Sequence, residues 1–397
     1  MTSEPPNPTP VQFMARALRG LEWVAAAEIE GRLDARLLAV GHREIHFQLP
    51  TVDPRLLQLR TIDDIFLTCG YLTDLDHRRD SLPRLAQGLD QLDISAALEN
   101  LQSLRPLPAQ PRFDVVASFL GKRNYNRFEL EKTAGQILAP QLGTQPLPAD
   151  QRDQAELSWR LHLSAERAYF GLRLLPQPLH RRPYRDRAHR AALYPPLGAA
   201  LALVAGLGPD LTLLDPCCGS GTIAIEAAQL CPQVKPLAGE LDAASLYLAR
   251  QTAARAQIPL HSWRGDAAHL PLDYRSIDRL TGNIPWDRTV DWGRQLAADP
   301  TAFWRETGRV LHSESRLAIL AEEPQPPLQL LGSLGLILTW RGKIRLRGRP
   351  AFVSLLVPQA HSNPGPVDPY GLYGEQLAYA WEHYRPGLEL EEIKIST

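Results

Sequence analysis

The chain has 397 residues, of which 44% are hydrophobic and 22% charged, with a formal net charge of −1. This composition excludes a disordered chain, a collagen-like repeat and a small disulfide-stapled domain, and the length predicts two or three domains. The near-zero sum hides an uneven distribution: residues 1–111 carry −4, residues 112–190 carry +6, and residues 191–397 carry −3.

Met1 to Pro10 is polar and proline-rich, which predicts a loose tail rather than a signal peptide. The first region then reads as α+β. Val11–Ala17 is a strand, and Leu21–Leu33 is a helix with an apolar face. Leu37–Val40 and Glu44–Leu49 are strands around Gly41-His42, and Ile65–Leu72 is a further strand. Leu92–Leu104 has helical spacing and stops before Pro106 and Pro108. In the basic region, Phe113–Phe119 is a strand and Arg127–Leu138 a helix. Ser158–Leu163 and Ala168–Leu174 form a hairpin. Leu175–Arg190, with three prolines and five arginines, reads as a linker. The uncharged run Ala191–Pro209 is long enough to suggest a membrane span. Pro195-Pro196 interrupts it and Gly206, Gly208 and Pro209 close it, leaving a helix of about Pro196–Ala205, too short to cross a bilayer. The last region alternates strand and helix: Leu211–Leu214, Ile223–Leu230, Lys235–Glu240, Ala243–Ala256, Ile277–Gly282, Thr301–Leu311 and Ser315–Leu320. Leu334–Arg345 and Pro350–Val357 follow as an antiparallel pair. Alternating units predict a mostly parallel sheet with ligands at the carboxyl ends of its strands.

Cys69, Cys217, Cys218 and Cys231 form no CxxC pair and lack metal-ligand spacing with the histidines. They predict no disulfide framework, no metal and a reducing, cytoplasmic setting.

The densest motif is Leu213-Leu214-Asp215-Pro216-Cys217-Cys218-Gly219-Ser220-Gly221-Thr222-Ile223. A strand ends at Asp215, a glycine turn follows, and a helix opens, offering free N–H groups and close backbone approach. No Lys-Ser/Thr follows the second glycine, so it is not a P-loop, although it also passes as a dinucleotide fingerprint. Spacing separates the readings. Gly239-Glu240-Leu241 closes the next strand with a carboxylate suited to ribose hydroxyls, and Gly265-Asp266-Ala267 follows with an acid suited to a base amino group. Asp242 reads as the N-cap of the helix at Ala243.

After the next strand comes Asn283-Ile284-Pro285-Trp286-Asp287. Here the chain resembles class I S-adenosylmethionine (SAM) methyltransferases acting on amino groups, whose signature is Asp/Asn-X-Pro-aromatic. Asn-Ile-Pro-Trp departs from the commoner Asn-Pro-Pro-Tyr. An exocyclic amine is a poor nucleophile because its lone pair is delocalised into the ring. The Asn283 side-chain oxygen and the Ile284 carbonyl suit its two hydrogens, Pro285 stiffens the turn, and Trp286 offers a stacking face, so that catalysis is positioning plus electrostatics. The cofactor site expected from the resemblance comprises Asp215, Cys217, Gly219, Ser220, Gly221, Thr222, Glu240, Leu241, Asp266, Ala267 and Asn283.

Gly20-Leu21-Glu22 with Glu28-Ile29, the Phe113–Leu174 segment, and Leu179-His180-Arg181-Arg182-Pro183-Tyr184-Arg185 followed by Ala192–Leu201 are similar to THUMP-domain RNA methyltransferases. The resemblance implies a ferredoxin-like domain over 1–75, a THUMP RNA-binding domain over 76–175, a linker over 176–190 and a Rossmann-like methyltransferase domain over 191–397. It implies N2-methylguanosine formation in tRNA, at guanosine 6 of the acceptor stem, with recognition of the 3′ CCA end by a monomer. Expected RNA contacts are Lys122, Arg123 and Arg127; Arg181, Arg182, Tyr184, Arg185, Arg187 and Arg190; and Arg345 and Arg347 from an alternating run, Arg341 to Arg349, expected to place up to five cations on one face. Thirty-eight of the 43 cations are arginines, a bias that genome composition explains as well as phosphate binding does. Competing readings are an rRNA guanine-N2 or adenine-N6 methyltransferase, a non-catalytic RNA-binding protein retaining the fold, and an NAD-dependent dehydrogenase, which the Asn-Ile-Pro-Trp loop disfavours.

Overall fold

The computed structural model describes residues 9–185, 192–284, 301–323, 326–346 and 348–385. They form two seven-stranded sheets joined through one helix and the segment leading into the second sheet.

The first sheet uses β1 (Val11–Ala17), β2 (Arg36–Gly41), β3 (Glu44–Leu49), β4 (Ile62–Leu72), β5 (Phe113–Phe119), β6 (Leu157–Ser164) and β7 (Arg167–Arg173) in the order β2-β3-β1-β4-β7-β6-β5. Alternation places Phe13, Ile45, Phe47, Ile65 and Leu67 on one buried face, and Phe13 stacks on its cross-strand partner Phe47. The β4–β7 pairing, Phe66 opposite Arg173, makes the segments on either side of residue 75 one sheet with one core.

Helices α1 (Glu22–Leu33), α2 (Ser81–Asp90), α3 (Ser95–Leu104) and α4 (Arg127–Leu142) contribute to this half. Helix α4 begins in a capping box, with Asn126 accepting from the Glu129 backbone and Glu129 from the Asn126 backbone. It runs through Pro140, beyond the expected end at Leu138, and closes at Gly143. Helix α2 is absent from the sequence expectation, and it contains Pro83 and Gly88, two residues that disfavour helix interiors. Pro83 sits in the first turn, where no intrahelical N–H is needed. A Cβ on Gly88 would stand 2.8 Å from Leu72 of β4, so this glycine permits the close approach. The expected helix from Leu92 starts at Ser95.

The second sheet uses β8 (Thr212–Asp215), β9 (Lys235–Glu240), β10 (His261–Arg264), β11 (Ile277–Asn283), β12 (Leu311–Ala321), β13 (Leu336–Leu346) and β14 (Arg349–Pro358), ordered β10-β9-β8-β11-β12-β14-β13. The first five run parallel, and β14 and β13 add an antiparallel edge. The crossover helices include α6 (Thr222–Leu230) and α7 (Ala243–Arg255). Strand order reverses between β8 and β11, which opens a crevice at the carboxyl ends of those two strands. Helix α5 (Pro195–Val204), at the expected position of the uncharged run, is buried along its whole length. No helix among the described residues is long and apolar enough to cross a membrane.

Helix α1 serves both halves. Ala25, Ala26 and Ile29 face the first core, while Trp23, Val24 and Ala27 pack with α5 and the second sheet. Trp23 meets Trp340 of β13 and Trp381 of the C-terminal helix Gly374–Tyr384 edge-to-face, with ring centroids 6.0 and 5.2 Å away. Trp23→Ala would leave a cavity where three elements meet. The expected loss is about 3–5 kcal/mol, measured as the shift in urea unfolding; a loss below about 1 kcal/mol would show that this contact does not hold the halves together.

Candidate active site

Strand β8 delivers Asp215 to the crevice, and residues 216–221 turn the chain into α6. Gly219 and Gly221 have φ of +52° and +77°, which side chains disfavour; a Cβ on Gly219 would meet nothing within 4 Å, so its backbone borders open space. The turn is held from beneath by Cys218 N–H donating to Gly239 O (2.9 Å) and Gly221 N–H to Cys218 O (2.8 Å).

Glu240, at the end of β9, links this turn to the next helix. Its Oε2 accepts from Gly219 N–H (2.7 Å) and its Oε1 from Asp242 N–H (2.9 Å). Each oxygen retains acceptor capacity toward a hydroxyl. Asp242 caps α7 as expected, accepting from Ser245 N–H. Asp266 follows β10 and accepts from Ala268 N–H (2.9 Å), while Ala267 is buried in the apolar cluster against which half-buried Cys217 packs. Leu241 is half-buried, and its carbonyl accepts from Arg264. The sequence reading missed Trp263 of β10, whose ring lies 3.1 Å from a Cβ on either Gly239 or Gly265. Paired Gly-Glu and Gly-Asp dipeptides were the available signal: each glycine makes room for that ring.

Asp215 is buried, with Oδ1 accepting from Cys217 N–H (3.3 Å). Burial, and secondarily the nearby Glu240 charge, push its carboxyl up to about 8. Burial and then neighbouring carboxylates also push the Cys217 and Cys218 thiols up, which keeps them protonated and poor nucleophiles.

Strand β11, beside β8, ends with Asn283. Its Oδ1 is buried and has no hydrogen-bond partner among the described residues. Ile284 is buried and anchored through its N–H to Leu320 O (3.0 Å). A Cβ on Gly282 would stand 4.0 Å from Asp215 Oδ1, so the acid and the β11 end border the same crevice. Pro285 and Trp286 lie outside the described residues. Among the described residues no His/Cys/Asp/Glu group is arranged to hold a metal.

The expected RNA contacts divide. Lys122 and Arg127 are exposed, Arg127 resting on the exposed Phe128 ring. Arg181 and Arg345 are exposed as well. Arg182 and Tyr184 are corrections: they are 4% and 5% exposed, and both bond to Glu226 of α6. Arg123 is another correction, its guanidinium donating to Leu75 O, Asp76 O and Ala165 O. Arg185 donates to Leu193 O and Thr222 Oγ1. The expected five-cation face is also corrected, because β13 ends at Leu346 and Arg349 begins β14 across the hairpin. Arg341 is half-buried and bonds to Ser354 and Pro326 O, which leaves exposed Lys343 and Arg345 on that strand. Arg187, Arg190 and Arg347 lie outside the described residues.

Comparison with known proteins gives this geometry a family. Residues 182–336 match the model of UPF0020, the RMKL-like methyltransferase domain. The tRNA (guanine(6)-N2)-methyltransferase of Thermus thermophilus is 35% identical over 244 residues, covering 59% of this chain and 70% of the relative. The crystal structure of TrmN from Thermus thermophilus superimposes with a TM-score of 0.72 at 27% identity, covering 88% of this chain and 99% of that one. Ribosomal RNA large subunit methyltransferase K/L of Photobacterium profundum is 43% identical over 89 residues, 22% of this chain and 12% of that much longer protein. The chain belongs to the S-adenosylmethionine-dependent methyltransferase family that carries the RMKL-like domain and includes the Thermus thermophilus tRNA (guanine(6)-N2)-methyltransferase.

Proposed function

We propose that the protein methylates the exocyclic N2 amine of a guanosine in tRNA, at guanosine 6 of the acceptor stem. The observation that carries the proposal is Asn283 Oδ1, a buried acceptor without a partner among the described residues, at the end of β11. Leaving such an atom unpaired costs about 1–3 kcal/mol, so a donor from the substrate is the natural complement. A guanine amine supplies one hydrogen to Asn283 and the other to the Ile284 carbonyl. That arrangement draws the nitrogen toward tetrahedral geometry and directs its lone pair. The gain comes from orientation and fixed dipoles, with no strong general base.

S-adenosylmethionine supplies an activated methyl group. The open backbone at Gly219 leaves room for close approach, and the buried Asp215 carboxyl suits a ligand bearing sulfonium and ammonium charges. In this reading Asp215, Cys217, Gly219, Ser220, Gly221 and Thr222 hold it from the turn, and Glu240, Leu241, Asp266, Ala267 and Asn283 from the neighbouring strand ends. Pro285 and Trp286 complete the base site.

The substrate assignment is supported by the Thermus thermophilus relative. The domain reading is a ferredoxin-like segment 1–75 and a THUMP segment 76–175 that takes the 3′ CCA end, the two sharing the first sheet and its core, then a linker 176–190 and a methyltransferase domain 191–397. The protein acts as a cytoplasmic monomer. Exposed Lys122, Arg127, Arg181 and Arg345 meet phosphates. A ribosomal RNA guanine is the second reading, favoured by the match to the K/L enzyme.

Incubating unmodified tRNA and rRNA transcripts with labelled cofactor, followed by nucleoside mass spectrometry, is expected to yield N2-methylguanosine in tRNA; methyl on adenine, or no transfer to any RNA, would contradict the proposal. Asn283→Ala is expected to lower turnover by about 10²–10³-fold while weakening cofactor affinity far less. Near-normal turnover would refute the amine-holding role.

Asp215 gives a pH test. Its carboxyl is pushed up to about 8 from an ordinary 3.8, so the folded protein binds a proton in that window and the unfolded chain does not. This group's contribution to stability therefore falls as pH rises from about 4 to 8. A cationic ligand reverses the preference and expels the proton. Cofactor affinity is expected to rise between pH 6 and 8 with proton release, read by calorimetry in buffers of different ionisation enthalpy, and Asp215→Asn to flatten the rise. A flat wild-type profile would contradict this.

A further inference from the structure

Glu226 lies one turn beyond Thr222 in α6, is fully buried, and sits far from water for a carboxylate. Three side chains from outside its helix converge on it. Arg182 donates from Nε to Oε1 (2.9 Å) and from Nη2 to Oε2 (3.1 Å), Tyr184 donates its hydroxyl, and Arg60 stands 3.5 Å away. Burial, then the Glu226 charge, push the Tyr184 phenol far above its ordinary value, so it remains a donor.

The same groups reach into the first half of the molecule. Arg182 Nη2 also donates to Arg60 O (2.6 Å), just before β4, and Arg60 N–H donates to buried Glu28 of α1 (2.8 Å). Three residues on, Asp63 accepts from Tyr194 (2.9 Å) and from Arg43 (3.0 Å), and its carbonyl accepts from His180 N–H (3.0 Å). At the other end Arg185 reaches Thr222 Oγ1 (3.2 Å), the first residue after the glycine turn. The described part of the expected linker is therefore fixed on both sides. It ties the entry to β4 to the helix that follows the glycine turn.

A buried ion pair is a poor source of net stability, since apolar packing of the same volume does as well or better. In some proteins such a pair instead specifies one register between the parts it joins. We infer that Glu226, with Arg182, Tyr184 and Arg60, is a positioning device that fixes the span between the RNA-holding half and the methyl-transfer crevice, and so selects which nucleotide along an RNA stem is methylated. The inference rests on the RNA methyltransferase reading above. None of the four side chains needs to touch the reacting atoms.

The test uses the full chain, as wild type, Glu226→Gln and Tyr184→Phe. Substrates are a tRNA transcript and versions with one base pair added to or removed from the acceptor stem between the 3′ end and the target. Cofactor and RNA affinities are measured alongside kcat/KM, and the methylated position is mapped by mass spectrometry of RNA fragments. Misplacement by about 1 Å costs on the order of 10²-fold, so wild type is expected to favour the native stem by about that factor or to methylate a displaced nucleotide in the altered stems. Glu226→Gln is expected to lose most of that preference while binding both ligands, and Tyr184→Phe to shift it in the same direction. Tyr184→Phe, which deletes one hydroxyl, carries the test if Glu226→Gln does not fold. A wild type that modifies no RNA would overturn the functional reading and this inference with it. A wild type indifferent to stem length, folded variants with an unchanged preference, or a uniform fall in rate with the position retained would overturn the positioning role alone.

Discussion

The molecule depends on the side-by-side pairing of β8 and β11. The chain leaves these strands in opposite directions across the sheet, which opens a crevice above their carboxyl ends. Asp215 and Asn283 occupy those two ends, and each keeps a buried polar group poorly compensated by the protein. The acid is held back from ionising by burial; the amide oxygen lacks a donor among the described residues. Unsatisfied groups of this kind are costly in an ordinary core. In the proposed function each is complementary to a ligand: a cation for Asp215, an amine hydrogen for Asn283. The glycines at 219 and 221 and the Glu240 link to Asp242 set the walls of the crevice around that pair.

Chemistry at one crevice is insufficient for an enzyme that chooses one amine in a folded RNA. The first sheet must stand at a fixed distance, and three features hold it there. Helix α1 buries opposite faces in the two cores, Trp23, Trp340 and Trp381 meet edge-to-face, and Glu226 gathers charged partners from separate segments. The apolar contacts supply adhesion, which is non-directional. The ion-pair network supplies direction. A flexible tether between the halves would leave the span undefined.

Local patterns were the most legible part of the sequence. β1, β3, β5 and β9 have the bounds expected from alternation and turn residues, and the strand-end acids Asp215, Glu240 and Asp266 stand where their spacing placed them. Long-range pairing was not legible. Nothing near residue 66 indicates Arg173 as its cross-strand partner, so the continuity of the first sheet came only from the structure. Arg182 and Tyr184 show the same limit. In an arginine-rich run a buried arginine and a phosphate-binding one look alike, and what separates them is Glu226, 44 residues away. Helix α2 was not legible either, and it contains Pro83 and Gly88, which disfavour helix interiors in general but sit here where a first turn and a close strand contact accept them.

The central claim is that the crevice holds a guanine through its exocyclic amine. The most direct measurement replaces guanosine 6 of the tRNA transcript with inosine, which has the same ring edge except for the missing N2 amine, and follows methyl transfer from labelled cofactor. The account predicts that transfer is abolished while the RNA still binds. Methylation of the inosine transcript at the rate of the unmodified one would contradict it.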